Sequence, residues 1–181
     1  MVISDAGPLI ALARINQLDL LPKLFGRICV TSLVADEVLS GSEFADTSTL
    51  VQAMSQPWLQ TISLTDDQIN ACAYWVNLHQ IDLGEASAMV LAQCQSEMPL
   101  LIMDDFRGRQ AALHAKLALI GTTGLLLLAK RAGAISEVKP LLLRLRQQGY
   151  FLSQRLIDHA VQQAGESPWR SHGGVHSGTD L

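Results

Sequence analysis

The chain has few cysteines and no long hydrophobic run. Its three cysteines, Cys29, Cys72 and Cys94, are odd in number and far apart, with no CxxC pair, which excludes a disulfide framework and a zinc ribbon. No apolar run approaches the roughly 20 residues that a membrane-spanning helix needs. Met1 is followed by an apolar segment without the basic start of a signal peptide. These absences predict a cytoplasmic protein without a membrane partner.

Phosphate-binding glycine loops and charged residues are also scarce. Neither GxGxxG nor a GxxxxGK loop occurs, which argues against the common nucleotide-binding folds. Charged residues make up 17% of the chain, and residues 1–106 hold 13 acidic and three basic residues while 107–181 hold four acidic and ten basic ones. An acidic site beside a basic surface suits a metal-dependent phosphodiesterase, although solvated helix faces produce the same asymmetry.

The chain is rich in apolar residues, which make up 49% of its 181 positions. That fraction is enough for a folded core, and the length fits one domain. We expect this domain over residues 1–164. Residues 165–181 are rich in Gly, Ser and His without an apolar period, so we expect a disordered tail whose His172 and His176 have no metal role.

Short apolar segments alternate with helical ones along the domain. We predict strands at 2–4, 28–31, 58–64, 99–103 and 118–123. We predict helices at 9–15, 18–25, 32–39, 65–79, 84–95, 107–116, 124–132, 136–148 and 153–164, with Ser32 as one N-cap and a capping box of Thr65 and Gln68. Residues 40–56 favour no element. The alternation predicts an α/β fold with a parallel sheet of about four to five strands, covered on both faces.

Polar residues follow three of the predicted strands. Asp5 follows the first strand, Asp104 and Asp105 follow the segment PLLIM, and Thr122 with Thr123 ends a later strand. Ligands of open α/β sheets bind at the carboxyl ends of the strands. Because clustered carboxylates are costly without a cation or a proton, these acids predict a site for a divalent metal at this edge.

Two further acids can join the site, Glu37 on the helix after the second strand and Glu85 at the start of the helix before PLLIM. An oxygen-only ligand set suits Mg²⁺ or Mn²⁺. Each acid also has an interpretation without a metal. Asp5 can cap the helix that follows it, Glu85 can interact favourably with the dipole of its helix, and Glu37 can face solvent.

Five segments together resemble the PIN domain. They are ISDAGPLIALARINQLDLLPKLFG, VADEVL, LGEASAMVLA, LLIMDDFRGRQAA and IGTTGLLLLAKRAGAISEVKPLLLRL, in collinear order over about residues 2–160. More narrowly, they resemble a branch of predicted nucleic-acid-binding PIN proteins that begin ISDxxPLI and end with Lys-Pro-Leu-Leu. The resemblance implies a three-layer α/β/α fold and a metal-dependent ribonuclease that hydrolyses RNA phosphodiesters, in many relatives the toxin of a toxin–antitoxin pair.

The resemblance also implies which residues form the site. An acidic quartet would consist of Asp5, Glu37, Glu85 and one of Asp104 and Asp105. Asp5 would be the central metal ligand, Asp104 and Asp105 would share ligation, Glu85 would hold the metal or a bound water, and Glu37 would complete the site or orient water. The chain departs from the common pattern at Ala6, Glu85 and Met103, where many PIN proteins have a hydroxyl residue, Asp and a hydroxyl residue, and these changes bear on rate more than on fold.

Partners follow from the surface and from the resemblance. Arg107 and Arg109 come directly after the paired aspartates, and Lys116 extends the basic track, so we expect these three side chains to bind substrate phosphate. The alternative interpretation is that these three side chains are ordinary solvent-exposed helix residues that bind no substrate. A toxin of this type would form a homodimer and bind a cognate antitoxin, with the stretch LLLLAKRAGAI either at the interface or in the core.

Other classes fit the sequence less well. A receiver domain carries its acidic pair after the first strand, and a haloacid-dehalogenase-type phosphatase carries Asp-x-Asp there, whereas this chain has only Asp5. The main alternative is a non-catalytic PIN-like module that binds RNA or a protein and keeps the acids for structure. It predicts neither cleavage nor stabilisation by metal.

Overall fold

A computed structural model describes residues 1–40 and 47–167 of the chain. These residues contain one five-stranded sheet in the order β3-β2-β1-β4-β5, in which every neighbouring pair is parallel. The strands are β1 (Val2–Ser4), β2 (Ile28–Thr31), β3 (Leu59–Ile62), β4 (Leu100–Ile102) and β5 (Ala118–Ile120). The predicted α/β class with a parallel sheet is therefore confirmed.

Ten helices surround the sheet in the described part of the chain. They are α1 (Ala6–Arg14), α2 (Leu20–Phe25), α3 (Ser32–Ser40), α4 (Thr47–Met54), α5 (Asp66–His79), α6 (Leu83–Gln93), α7 (Phe106–His114), α8 (Thr122–Arg131), α9 (Lys139–Gln147) and α10 (Gln154–Gln163). The sequence did not predict α4. None of these helices has the length and apolar character needed to cross a membrane.

The sheet separates two hydrophobic cores. Leu101 faces one core with Met89 of α6, while its neighbour Ile102 faces the other with Leu12 of α1 and Leu125 of α8. This alternation along a buried strand is the reason that both faces need a covering layer of helices. The leucines at 125–127 lie in the second core, so the core interpretation of LLLLAKRAGAI holds for them.

Local hydrogen bonds set several helix starts, and some starts differ from prediction. Helices α2, α8 and α9 begin at Leu20, Thr122 and Lys139 rather than at residues 18, 124 and 136, so Thr122 and Thr123, predicted to end a strand, lie in α8. Helix α1 begins at Ala6 rather than residue 9, because Pro8 is tolerated in a first turn, where backbone N–H groups lack partners. The predicted N-cap at Ser32 is wrong: the Thr31 hydroxyl accepts a bond from the Val34 N–H at 3.1 Å, and Ser32 is already helical. The capping box of Thr65 with Gln68 is confirmed, with bonds of 3.3 and 2.9 Å.

The end of the described chain is anchored by Glu166, which lies beyond the predicted domain end at 164. Its Oε1 accepts bonds from Lys130 Nζ at 2.7 Å and from the Val138 N–H at 2.6 Å, and its Oε2 accepts from the Lys139 N–H at 2.9 Å. Burial raises the pKa of this carboxyl, but the bonds from Lys130 and the backbone outweigh burial and lower its pKa below the ordinary value. Residues 168–181 of the predicted tail lie outside the described residues.

We expect Glu166→Gln to lower the free energy of unfolding by about 1–3 kcal/mol at pH 7, because two backbone donors and Lys130 lose an ionised acceptor. The lowered pKa means that this contribution is present above about pH 4.5, the ordinary value, and is lost as the pH falls further. Urea unfolding of both proteins at pH 7 and pH 3.5 measures this difference. The exposed Glu137→Gln is the control, and an equal cost at both pH values would contradict the expectation.

Candidate active site

A cavity of about 850 Å³ opens where β1, β4 and β5 end. Carboxylates from different parts of the chain line it: Asp5, Glu37, Asp82, Glu85, Asp104 and Asp105. All five acids that the sequence singled out therefore border one space, and Asp82 joins them. The basic residues among the lining residues are fewer, namely Arg109 and His159.

Asp5 is the most enclosed of these acids together with Glu85. It follows β1, and its backbone N–H bonds to the Ile102 carbonyl at 2.9 Å, which fixes it at the edge of the sheet. Its side chain makes no capping hydrogen bond to α1 and is 5% exposed. Burial, followed by repulsion from Asp82 and Glu37, raises its pKa to about 7, although the nearby N–H groups of Ala6 and Gly7 lower it in part without forming a capping bond.

Glu85 is held by a capping box at the start of α6. Its N–H donates to Asp82 Oδ1 at 2.7 Å, and its Oε2 accepts from the Asp82 N–H at 3.1 Å. The structural interpretation of Glu85 as a first-turn acid thus describes part of its role. Burial and repulsion from Asp82, Asp105 and Asp5 raise its pKa to about 8. A carboxylate in this position gains from any cation that enters the cavity.

Two glycines allow helices to approach the acids closely. A Cβ on Gly84 would lie 2.6 Å from Glu37 Oε2, and a Cβ on Gly108 would lie 3.1 Å from Glu85 Oε1. Glu37 itself is exposed on α3 while lining the cavity. Partial burial and repulsion from Asp82 raise its pKa, so the carboxylates of different helices interact electrostatically.

Asp104 and Asp105 have different partners. Asp104 Oδ1 accepts from the Thr122 N–H at 2.8 Å, and its Oδ2 accepts from the Thr122 hydroxyl and the Tyr150 hydroxyl, both at 2.5 Å. Burial and the negative Asp104 raise the pKa of Tyr150, which keeps that hydroxyl a donor. Asp105 caps α7 through one oxygen, Oδ1, which accepts from the N–H groups of Arg107 at 2.7 Å and Gly108 at 3.0 Å.

The three basic residues predicted to bind substrate lie in different places. Arg109 lines the cavity and donates from Nη1 to the Met103 carbonyl at 3.0 Å. Arg107 is exposed outside the cavity lining and donates to the Gln80 carbonyl at 3.3 Å. Lys116 follows α7 and precedes β5, which places it at the opposite edge, where the strands begin. The structure brings only Arg109 to the acids.

The donor set fits a divalent cation that keeps much of its water. Among the described residues, no three His, Cys, Asp or Glu side chains converge into a preformed metal-binding group. Mg²⁺ does not need such a cage, because it binds through one or two carboxylates together with waters and substrate phosphate. Burial is the main cause that raises the pKa values of Asp5 and Glu85, and a bound divalent cation would favour their charged forms.

Two residues of the site were missed in the sequence. Asp82 stands three residues before Glu85, and that spacing is a capping-box signal that could have found it. Tyr150 lies 46 residues from Asp104, and no local pattern marks its contact.

Comparison with known proteins agrees with this architecture. A family model described as a PIN domain matches residues 1–166, and no curated protein matches the chain. The PIN domain is a nuclease-type fold, and its members are generally metal-dependent nucleases. With a parallel sheet between two helical layers and a family match over most of its length, the chain belongs to the PIN-domain family.

Proposed function

We propose that this protein is a metal-dependent ribonuclease that hydrolyses RNA phosphodiesters at the acidic cavity. The observation that carries the proposal is the burial of Asp5 and Glu85, 5% and 4% exposed, beside further carboxylates. Keeping such groups together costs stability unless a cation enters. Asp5 lies at the carboxyl end of β1 and Glu85 lines the same cavity, and this edge is where this class of sheet binds its ligands.

We assign the metal to Asp5, Glu85 and Asp105, with Mg²⁺ or Mn²⁺ as the ion. When bound, the cation would activate a water and neutralise charge that develops on the phosphate. Asp104 holds the end of β4 against α8, because both its oxygens accept hydrogen bonds from Thr122 or Tyr150. We therefore give Asp104 a positioning role and Asp105 the ligation that the sequence left shared between them.

Glu37 and Arg109 complete the proposed site. Glu37 lies on the solvent side of the cavity, where its carboxylate orients a water. Arg109 is fixed by its bond to the Met103 carbonyl, which leaves the rest of its guanidinium to bind a substrate phosphate. A fixed guanidinium loses little conformational entropy when phosphate binds.

We extend the proposal to the toxin of a toxin–antitoxin pair, acting in the cytoplasm as a homodimer whose cavity an antitoxin covers. This extension comes from the family resemblance. One structural feature favours the alternative of a non-catalytic binding module: the bonds of Asp104 to Thr122 and Tyr150, and of Glu85 to Asp82, give these acids structural roles. Cleavage and metal binding decide between the two.

We expect labelled RNA to be cleaved with Mn²⁺ or Mg²⁺ and left intact in EDTA, and Asp5→Asn to lower the rate on the order of a hundredfold or more by removing a buried charge from the site. Gel analysis of single-stranded and structured RNA measures both effects.

The matched control for this test is Asp36→Asn, since Asp36 is an exposed acid on α3 outside the cavity lining. It should cleave at the wild-type rate. Cleavage that survives EDTA or Asp5→Asn would contradict the proposal, and a folded wild type without cleavage would favour the binding module.

We also expect the metal-free protein to lose stability as the pH rises. The pKa values of Asp5 and Glu85 are raised from 3.8 and 4.5 to about 7 and about 8, so folding favours their protonated forms. The free energy of unfolding should therefore fall between about pH 5 and pH 8, by about 1 kcal/mol or more. Denaturant unfolding in EDTA across this range tests the sign.

Two comparisons sharpen this pH test. In Asp5→Asn the free energy of unfolding should decrease less with pH, because the amide carries no charge. In the wild type, Mg²⁺ should raise the melting temperature more at pH 8 than at pH 5. A stability that increases with pH in EDTA would contradict the expectation that folding raises the pKa values of these carboxyl groups.

A further inference from the structure

Two histidines meet where α5 packs against α7. His79 is the last residue of α5, and His114 is the last residue of α7. The Nε2 atom of His79 lies 3.1 Å from the Nδ1 atom of His114, and the planes of the two rings are 70° apart. Neither side chain lines the acidic cavity, so this histidine pair is separate from the site to which we assign the ribonuclease activity.

The packing of α5 against α7 sets the distance between the two rings. Arg107, two turns before His114, donates from Nη1 to the carbonyl of Gln80 at 3.3 Å, directly after the end of α5. The buried Trp75 stacks on the His79 ring with 5.6 Å between ring centres, and its ring centre lies 6.3 Å from that of His114. The fold therefore brings the two imidazoles together before any ligand binds.

The spacing of the two nitrogens fits a metal chelate. Zn²⁺ binds imidazole nitrogen at about 2.0–2.1 Å, so two nitrogens on one ion lie about 2.8–3.4 Å apart at bond angles between about 90° and 109°. The 3.1 Å between His79 and His114 lies inside this range. A ring proton fills the gap when no metal is bound. For the ion to enter, that proton moves to the outer nitrogen of its own ring, which leaves both imidazoles neutral.

The type of ligand selects the class of cation. Imidazole nitrogen suits Zn²⁺, Cu²⁺ and Ni²⁺, whereas Mg²⁺ and Ca²⁺ prefer oxygen. Each histidine ends a helix, and the partial negative charge at a helix C-terminus stabilises a nearby cation. In the part of the chain that the structure describes, no third His, Cys, Asp or Glu joins the pair, so water would fill the other coordination positions.

We propose that His79 and His114 bind one transition-metal dication of the Zn²⁺ class, at a second site that differs from the acidic cavity in position and in ligand chemistry. The two ligands are 35 residues apart in the chain, and an unfolded chain does not hold them together. The bound ion therefore stabilises the folded protein. It also fixes the far end of the helix that Asp105 caps at the cavity.

The test follows the fluorescence of Trp75 during titration with Ni²⁺ at pH 8, in a Trp58→Phe, Trp169→Phe background that leaves Trp75 as the sole indole. Open-shell Ni²⁺ at the histidine pair should quench the stacked indole, closed-shell Zn²⁺ should reverse the quenching by competition, and Mg²⁺ should do neither. His79→Gln and His114→Gln keep a polar side chain without the imidazole ligand. Each should weaken Ni²⁺ binding about tenfold or more, since the loss of a group that only supports a ligand already costs that much.

Two kinds of control variant show where the ion binds. His159→Gln and Asp5→Asn change a histidine and a carboxylate of the acidic cavity, and the double variant His172→Gln, His176→Gln changes the last two histidines of the chain. All three should bind Ni²⁺ with the affinity of the background protein. Quenching that survives both His79→Gln and His114→Gln, or that any of these controls removes, would overturn the proposal.

A second measurement separates loss of the ligand from loss of the fold. Zn²⁺ should raise the melting temperature of Asp5→Asn, in which the acidic cavity lacks its most buried aspartate, and adding His114→Gln should abolish that rise while a cooperative melting transition remains. The absence of a rise in Asp5→Asn, or an equal rise after His114→Gln is added, would contradict a stabilising ion at the histidine pair.

Discussion

Repulsion among carboxylates is the constraint around which this end of the molecule is organised. Burial, followed by repulsion from Asp82, raises the pKa values of Asp5, Glu37 and Glu85, which come from different elements of the chain. Like charges in a partly desolvated space separate unless a rigid scaffold holds them. The parallel sheet is that scaffold, because backbone hydrogen bonds fix the ends of β1 and β4 side by side. Helices α3 and α6 carry the remaining acids to the same cavity.

The groups that hold these acids are mostly neutral. Asp104 is bound by the N–H and hydroxyl of Thr122 and by Tyr150, Asp105 by backbone N–H groups, and Glu85 by the Asp82 capping box. Neutral donors orient a carboxylate without neutralising its charge. A lysine or arginine partner would orient the carboxylate and also neutralise its charge. Glu166 differs from these acids, because the Lys130 ammonium donates a hydrogen bond to it and its pKa is lowered. Thus an ion pair with Lys130 holds Glu166 away from the cavity, whereas neutral donors hold Asp104 and Asp105 at the cavity.

Much of this arrangement could be predicted because it depends on local rules. Apolar runs followed by acids located the ends of β1 and β4, and the parallel sheet then required Asp5 and Asp105 to share an edge. Features that depend on tertiary packing were less accessible. Tyr150 reaches Asp104 across 46 residues, and the turn of the chain after β2 gave the capping role to Thr31 rather than Ser32. The sequence predicted Lys116 on the same helix as Arg109, but α7 ends at His114, and the length of that helix separates Lys116 from the acids.

Gly108 packs against two residues, Glu85 and Met103, at which this chain differs from the common PIN pattern. A Cβ at position 108 would lie 2.6 Å from Met103 Sδ and 3.1 Å from both Cδ and Oε1 of Glu85. The absent side chain is what makes room for a methionine instead of a small hydroxyl residue, and for a glutamate that is one methylene longer than aspartate. Positions 85, 103 and 108 are therefore sterically interdependent. An alanine at 108 would displace the Met103 thioether and press on the Glu85 carboxyl, so a change at one of these positions is felt at the other two.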